Sequence, residues 1–181
     1  MFDDELGTEL IDILCKKAEE GVRVRLVYDD VGSNLSRKAK RKLKKSKVEH
    51  YPFMPVIFSN STSKLNYRDH RKIVVIDGEI GYVGGINLDQ KYDNSYDNER
   101  YWRDTHLRIQ GGAVGSLQSS FLLSWNFASN DELEIEDHLF PNVKPETQEP
   151  VAIQMAASGP DTDWANIMEA IFCAMNSARE R

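Results

Sequence analysis

Two basic side chains stand two residues apart at the start of the segment HRKIVVIDGEIGYVGGIN, which runs from His70 to Asn87. On an extended chain alternate side chains share a face, so His70 and Lys72 are expected to point the same way. A neutral imidazole can attack phosphorus, while an ammonium can hold the negatively charged oxygens around it. The pair therefore predicts chemistry on a phosphoryl group.

The apolar run that follows predicts a β-hairpin that positions this pair. We expect one strand over 71–76, a turn at the Asp-Gly dipeptide 77–78, and a partner strand over 80–83. Val74 and Ile76 are expected to continue the face of the two basic residues inward. The first strand would then be buried along most of its length.

The partner strand would return Gly84, Gly85 and Asn87 to the side of His70. Glycines permit close backbone approach, and their amides can face an anion. Taken singly, each feature has an ordinary explanation, namely a basic strand end, a hairpin turn and a bulge. Their joint spacing favours a site for a phosphoryl group.

The rest of the chain predicts an α/β domain with a mixed central sheet and helices on both faces. Segments with helical spacing of apolar residues and short β-branched runs are separated by glycine, proline and polar turns. We expect the site at one edge of the sheet. The predicted helices are 3–20, 35–47, 114–128 and 161–181, and the predicted strands, besides the hairpin, are 22–28, a short one within 48–58, 102–109 and 153–159.

Composition limits the class of protein. The 181 residues include 40% hydrophobic and 29% charged side chains, and the formal net charge of −6 argues against broad nucleic-acid binding. No apolar run approaches the roughly 18 residues of a membrane span, so we expect this segment to be soluble. Cys15 and Cys173 lie far apart without a second ligand nearby, which favours reduced, packed thiols over a disulfide or a metal site.

The stretch RKAKRKLKKSK, residues 37–47, carries eight basic side chains in eleven positions. Leu35, Ala39 and Leu43 recur at helical spacing as a narrow apolar stripe, which favours docking on the protein's own core over insertion into lipid. The basic face of the predicted helix 35–47 has two interpretations that the sequence leaves open. It is either a solvated surface or a contact with an anionic membrane surface.

One motif resembles the HKD signature of the phospholipase D superfamily, namely His70-x-Lys72-x4-Asp77-x6-Gly84-Gly85-x-Asn87. The Gly-Gly pair, in place of the commoner Gly-Ser, resembles the cardiolipin synthase branch. The stretches YWRDTH at 101–106 and ASGPDTDW at 157–164 are similar to the same branch. The resemblance covers nearly the whole chain and implies a phospholipase D-like fold, an α/β architecture with a mixed β-sheet.

Enzymes of this kind carry two HKD motifs, one in each half, which meet at a single active site. The resemblance therefore implies that residues 1–150 are a first phospholipase D-like domain that lacks its first strand. Residues 151–181 would be the truncated start of a second one. Such enzymes condense two phosphatidylglycerols into cardiolipin and release glycerol, with no cofactor and no metal. The full-length protein is expected at the bacterial cytoplasmic membrane, with phosphatidylglycerol or another anionic phospholipid as substrate.

On this resemblance His70 is the catalytic nucleophile that forms a phosphohistidine. Lys72 and Asn87 would hold the phosphate oxygens together with Gly84 and Gly85. A second histidine would protonate the leaving glycerol and then activate the incoming hydroxyl. It would come from the second HKD domain of the same chain or of a dimer partner.

Two acids have different expected roles. Asp77 gives the motif its third letter and so counts among the catalytic candidates, but its spacing from Lys72 predicts a place in the turn, where it would order the hairpin. A nucleophilic histidine needs a partner on its other ring nitrogen. Asp104 is the candidate, because superfamily members place an acid near there. His106 shares the face of Asp104 and either lines the site or is a structural histidine.

Two other functions remain open at this point. Small superfamily members with one motif form their site by dimerising and act as phosphodiesterases or nucleases. The acidic net charge and the Gly-Gly pair weigh against a nuclease. Alternatively, the chain is a non-catalytic piece of a larger protein that binds only phosphate or a partner.

Overall fold

The computed structural model describes residues 3–55, 68–143, 151–159 and 166–179. The helices are α1 (Glu5–Glu19), α2 (Arg37–Lys45), α3 (Val114–Ser129) and α4 (Asn166–Ser177), with short 3-10 turns at Gln90–Tyr92 and Asp137–Leu139. The strands are β1 (Arg25–Asp29), β2 (Glu49–Phe53), β3 (Ile73–Ile76), β4 (Ile80–Gly84) and β5 (His106–Gln110). The predicted helices 3–20, 35–47 and 114–128 are thus confirmed, and so is the part of the predicted helix 161–181 that the structure describes; residues 161–165 and 180–181 lie outside the described residues. None of the helices in these ranges is long and apolar enough to cross a membrane.

Local sequence explains where α1 begins and ends. The Asp4 carboxylate accepts a hydrogen bond from the Gly7 amide (2.7 Å) and caps the first turn. Gly21, with a φ of +96°, takes the left-handed conformation that follows the end of the helix. The buried inner face of α1 comprises Ile11, Cys15 and Ala18.

The strands β1 and β2 form a parallel two-stranded sheet, and α2 crosses between them. The hydroxyl of Ser36 caps α2 by accepting a hydrogen bond from the Ala39 amide (3.1 Å). Leu43 is fully buried, and Leu35 and Ala39 lie in the same cluster against α1. The predicted docking of the apolar stripe on the protein's own core is therefore confirmed.

The strands β3, β4 and β5 form an antiparallel sheet in that order. Asp77 and Gly78 both have positive φ, +54° and +69°, and the Glu79 amide donates a hydrogen bond to the Ile76 carbonyl (3.0 Å). Two central residues of positive φ define the tight turn that suits the twist of a hairpin. The predicted Asp-Gly turn is therefore confirmed.

Helix α3 contacts both sheets. Its first turns bury Val114 and Leu117 against the antiparallel sheet. Gly81 of β4 leaves room for Leu117, because a Cβ at position 81 would stand 2.5 Å from Leu117 Cδ1. Its later turns set Trp125 edge-on against Tyr51 of β2, with ring centroids 5.1 Å apart. The helix thereby holds the two sheets beside each other.

The parallel sheet has helices on both faces, as predicted. Leu26 of β1 faces the cluster formed by α1 and α2, while the neighbouring Arg25 lies over the Trp125 ring of α3 (5.7 Å). Adjacent side chains of a strand point to opposite faces, so α3 lies on the other side from α1 and α2. The α/β class is confirmed, although within the described residues the parallel and antiparallel strands form separate sheets.

The predicted burial of the first hairpin strand is wrong. The strand β3 begins at Ile73, so His70 and Lys72 lie in the extended segment before it. Val74 and Ile76 are 50% and 44% exposed, because α3 covers only the opposite face, which carries Ile73 and Val75. One face of the hairpin therefore packs against α3, and the other is exposed to solvent.

Three further predictions need correction. Residues 153–159 form no strand, because no neighbouring strand in the described residues offers them a ladder of hydrogen bonds. The strand predicted over 102–109 begins only at His106, so Asp104 lies in the irregular segment before it. Cys173 on α4 is free but exposed, unlike the packed thiol of Cys15.

Candidate active site

His70 and Lys72 lie in the extended segment that immediately precedes β3. The Asp69 amide donates a hydrogen bond to Asp29 Oδ2 (2.9 Å), which ties this segment to the carboxyl end of β1. His70 is exposed, and Lys72 is half-buried. The Lys72 ammonium donates a hydrogen bond to the His70 carbonyl oxygen (2.7 Å), so the cation stays beside the histidine.

Close packing explains why glycines stand at positions 84 and 85. A Cβ at Gly84 would stand 2.5 Å from the carbonyl oxygen of Thr105, and one at Gly85 would stand 2.8 Å from Asp104 Oδ2. Real Cβ atoms do not approach the backbone so closely, so only glycine fits at position 84, whereas a Cβ at position 85 would require the Asp104 carboxylate to shift. The Gly85 amide donates to the Thr105 carbonyl (3.2 Å) and is therefore engaged with the neighbouring chain. The part of Gly84 and Gly85 in binding phosphate stays a prediction.

The carboxylate of Asp104 is exposed and lies beside Gly85. It accepts hydrogen bonds from the Thr105 amide (2.7 Å) and from the Trp102 indole (3.4 Å). Within the described residues no hydrogen bond joins it to His70. The orienting role of Asp104 therefore stays a prediction. His106 is also exposed and sits at the start of β5, opposite Gly84.

Asn87 is half-buried and opens the loop that leads to Asp104. The Gln90 amide donates to Asp4 Oδ2 (2.6 Å), which fastens this loop to the start of α1. Farther along, the Asn94 amide group donates to the Trp102 carbonyl (2.7 Å) and its oxygen accepts from the Trp102 amide (2.8 Å). These bonds close the loop on itself and fix both of its ends.

Lys91 and Tyr28 are among the ionisable groups of this region whose pKa values are shifted. A hydrogen bond to Asp89, whose carboxylate lies 3.1 Å away, raises the pKa of Lys91 and holds the turn after Asn87. Burial raises the pKa of Tyr28 in β1, and the negative charge of Asp30 adds to the effect. Both groups keep their protons at neutral pH.

Asp77 is exposed in the hairpin turn, at the opposite end of β3 from Lys72. Five residues of extended chain correspond to roughly 16 Å, which is too far for contact with a phosphoryl group at His70. The neighbouring Gly78 packs tightly, since a Cβ there would stand 2.7 Å from the Leu139 carbonyl oxygen. The geometry supports an ordering role for Asp77 in the turn.

The sequence analysis missed the residues that alternate with the two bases. The side chains of Asp69 and Arg71 point inward and are 11% and 17% exposed. Both contact the hydroxyl of Ser124 on α3. In the run DHRK, residues 69–72, the acid and the arginine alternate with His70 and Lys72, and this alternation could have indicated that Asp69 and Arg71 share an inner face. Its partner on α3 carried no signal in the sequence.

The known proteins that this chain matches include cardiolipin synthases. A family model described as "Cardiolipin synthase, PLD-like domain" matches residues 2–107. The chain is 45% identical over 182 residues, or 99% of its length, to cardiolipin synthase 2 of Staphylococcus epidermidis. It is 42% identical over 180 residues, 98% of its length, to a cardiolipin synthase of Staphylococcus aureus. A cardiolipin synthase of Alkalihalophilus pseudofirmus is 42% identical over 178 residues, again 98% of this chain.

The fold and the HKD residues define a phospholipase D-like domain, as the sequence predicted. The chain belongs to the cardiolipin synthase family of such domains. It spans 37%, 36% and 35% of the length of the three relatives.

Proposed function

We propose that this chain carries the first half of the active site of a phosphatidyltransferase. The complete enzyme condenses two phosphatidylglycerols into cardiolipin and glycerol. One observation carries the proposal: His70 and Lys72 are held together at the end of β1, in a chain 45% identical over 99% of its length to a curated cardiolipin synthase.

The reaction has two balanced steps. A ring nitrogen of His70 attacks the phosphorus of one phosphatidylglycerol, and the N–P bond forms as the P–O bond to glycerol breaks. The leaving oxygen takes a proton from the histidine of a second HKD motif. The hydroxyl of another phosphatidylglycerol then returns a proton to that histidine and attacks phosphorus. The N–P bond breaks, and both histidines regain their starting states.

The other site residues have distinct tasks in this scheme. The Lys72 ammonium and the Asn87 side-chain amide stabilise the oxygens on phosphorus as negative charge develops there. Asp104 fixes the tautomer of His70 by accepting a hydrogen bond from the ring N–H of the imidazole once the complete site has formed. Gly84 and Gly85 bring the Asp104 segment close to the end of β4.

Residues 151–181 begin a second phospholipase D-like domain, which supplies the second histidine. Support comes from α4, whose large apolar side chains are all exposed, namely Ile167, Met168, Ile171, Phe172 and Met175. A helical face of this kind is normally covered by another part of the protein. The alternative is a homodimer of single-motif chains, as in phosphodiesterases of the superfamily.

The experiment that tests the function uses the full-length protein. With phosphatidylglycerol labelled at phosphorus, it should form cardiolipin and a transient, acid-labile phosphohistidine. His70→Ala should abolish both products. His138→Ala serves as the control, because His138 is exposed and pairs with Glu136 (3.2 Å) away from the site. Cleavage of single-stranded DNA with phosphatidylglycerol left intact would replace the proposal with the phosphodiesterase alternative.

Helix α2 is the part of this chain that contacts the membrane surface. All eight basic residues within 37–47 are exposed, and no acid lies between 31 and 48. Such a patch on a chain of net charge −6 is a strong charge asymmetry. Anionic lipid headgroups complement it, with about 1 kcal/mol of attraction for each base near the surface. Because α2 follows the carboxyl end of β1, its first turn lies at the same edge of the sheet as the His70 segment.

Vesicle sedimentation tests this contact. The 181-residue chain should sediment with phosphatidylcholine vesicles that contain phosphatidylglycerol, and salt should weaken the binding. The double variant Lys38→Gln/Lys45→Gln should bind less. The matched control is Lys16→Gln/Lys17→Gln on α1, which removes the same charge from another helix. Equal loss in both variants would refute a specific role for α2, and displacement by DNA but not by lipid would identify a nucleic-acid surface instead.

A further inference from the structure

The backbone of the His70 segment is not held by the sheet. Residues 69–72 precede β3, so the strand ladder that orders Ile73 onward does not reach them. Their order comes from side chains instead. Asp29 accepts the Asp69 amide (2.9 Å), and Asp69 Oδ1 accepts the Arg71 amide (2.9 Å).

A single hydroxyl on α3 connects the inner side chains of this segment. Ser124 is 4% exposed, and its hydroxyl donates to Asp69 Oδ2 (3.2 Å). The Ser124 hydroxyl oxygen also accepts a hydrogen bond from Arg71 Nη1 (3.1 Å), which lies 3.6 Å from Asp69 Oδ2. The serine therefore bridges an acid and a base that flank His70 along the chain.

The cluster of Asp69, Arg71 and Ser124 depends on precise hydrogen-bond geometry. The Asp69 and Arg71 side chains are largely removed from water, and charged groups in that position need partners at fixed angles. A helix and a strand end provide those partners from outside the segment, so they constrain the arrangement of the backbone between 69 and 72. In that arrangement His70 and Lys72, which alternate with the anchored residues, face the other way.

We propose that Asp69, Arg71 and Ser124 are positioning residues for the His70 nucleophile. They act through the backbone, which they hold so that the imidazole and the Lys72 ammonium meet the phosphorus together. The inference rests on the proposed phosphatidyl transfer and extends it to residues that do not touch the substrate. A displacement of about 1 Å at a nucleophile can lower the rate roughly 100-fold.

The two kinetic constants separate positioning from lipid binding. The cluster faces α3 and not the substrate, so its loss should leave KM for phosphatidylglycerol unchanged. The rate of phosphohistidine formation should fall, because that rate depends on the alignment of the imidazole nitrogen with phosphorus. A purely structural cluster would change neither constant once activity is expressed per folded molecule.

The test compares Ser124→Ala with Ser119→Ala in the full-length protein. Ser119 lies on the same helix, is exposed, and its hydroxyl donates to the Gly115 carbonyl of its own helix (2.9 Å). Ser124→Ala should lower the single-turnover rate of phosphohistidine formation about 100-fold, while Ser119→Ala matches the wild type. Ser124→Thr, which keeps the hydroxyl, should recover most of the rate, and Asp69→Asn should resemble Ser124→Ala.

Thermal melts of each variant give the folded fraction at the assay temperature. A Ser124→Ala protein that reacts like the wild type, or that loses activity only in proportion to its folded fraction, would overturn the positioning role. A wild-type protein that forms no phosphohistidine from phosphatidylglycerol would instead refute the proposed function. The two failures are therefore distinguishable. Should Ser124→Ala be too unstable to purify, Asp69→Asn gives the same comparison.

Discussion

The carboxylate of Asp104 lies directly against Gly85, so that a Cβ at position 85 would stand 2.8 Å from Asp104 Oδ2. The Asp104 side chain is short, and the Thr105 amide holds its other oxygen at 2.7 Å. It therefore has little freedom to move aside. The second glycine of the HKD motif leaves room for an acid located nineteen residues farther along the chain.

Gly85→Ala should destabilise the protein by about 1–3 kcal/mol, because the new methyl group overlaps the Asp104 carboxylate. Activity of the folded full-length enzyme should fall as well, since Asp104 would be displaced. Gly112→Ala is the matched control, because a Cβ at Gly112 has no atom within 4 Å. Denaturant unfolding and turnover on phosphatidylglycerol measure the two effects. Equal stability of both variants would contradict the close approach.

Asp104→Asn should leave folding nearly intact, because the exposed carboxylate and the amide have the same shape. Turnover of the full-length enzyme should fall by roughly three to four orders of magnitude, the effect expected when a catalytic histidine loses the carboxylate that fixes its tautomer. Thermal melts and single-turnover kinetics check both parts. A well-folded, fully active Asp104→Asn enzyme would mean that His70 has a different partner.

Asp77→Ala should lower the free energy of unfolding by about 1–2 kcal/mol, because alanine is strained at the positive φ of this turn. The backbone angle there is +54°. Activity should drop only in proportion to the folded fraction, since Asp77 lies far from His70. Asp77→Asn is the control, because asparagine tolerates this conformation. Loss of turnover in well-folded Asp77→Asn would give this residue a chemical role.

The 181-residue chain by itself should form little or no cardiolipin from phosphatidylglycerol. The leaving glycerol needs a proton from the histidine of a second motif, and this sequence has one His-x-Lys pair. Assays of the purified chain at several concentrations test this expectation. Turnover by a monomer near the rate of the full-length enzyme would contradict it. Activity that rises with dimer formation would favour a site shared between two copies.

Several elements of the fold could be predicted from the sequence because they depend on neighbours along the chain. Helical spacing of apolar residues predicted α1 as a helix over 3–20, although its buried face of Ile11, Cys15 and Ala18 was seen only in the structure. The Asp-Gly dipeptide specifies the hairpin turn, since both residues tolerate positive φ. The HKD spacing likewise identified the family, because a motif is a local pattern.

Other features were decided only by contacts between distant parts of the chain. The open face of β3 depends on where α3 lies, so alternation alone could not tell whether Ile73 or Val74 would be buried. Residues 153–159 had the composition of a strand, but a strand exists only where another one pairs with it.

The candidate site divides in the same way. The amino-acid sequence by itself determined the family and predicted His70, Lys72 and Asn87 as site residues, because residue type and spacing carry that information. Only the tertiary structure revealed that Ser124, fifty-five residues from Asp69, anchors the segment that holds His70. The physical reason is that a hydrogen bond between a helix and a distant strand end leaves no periodic trace in either segment.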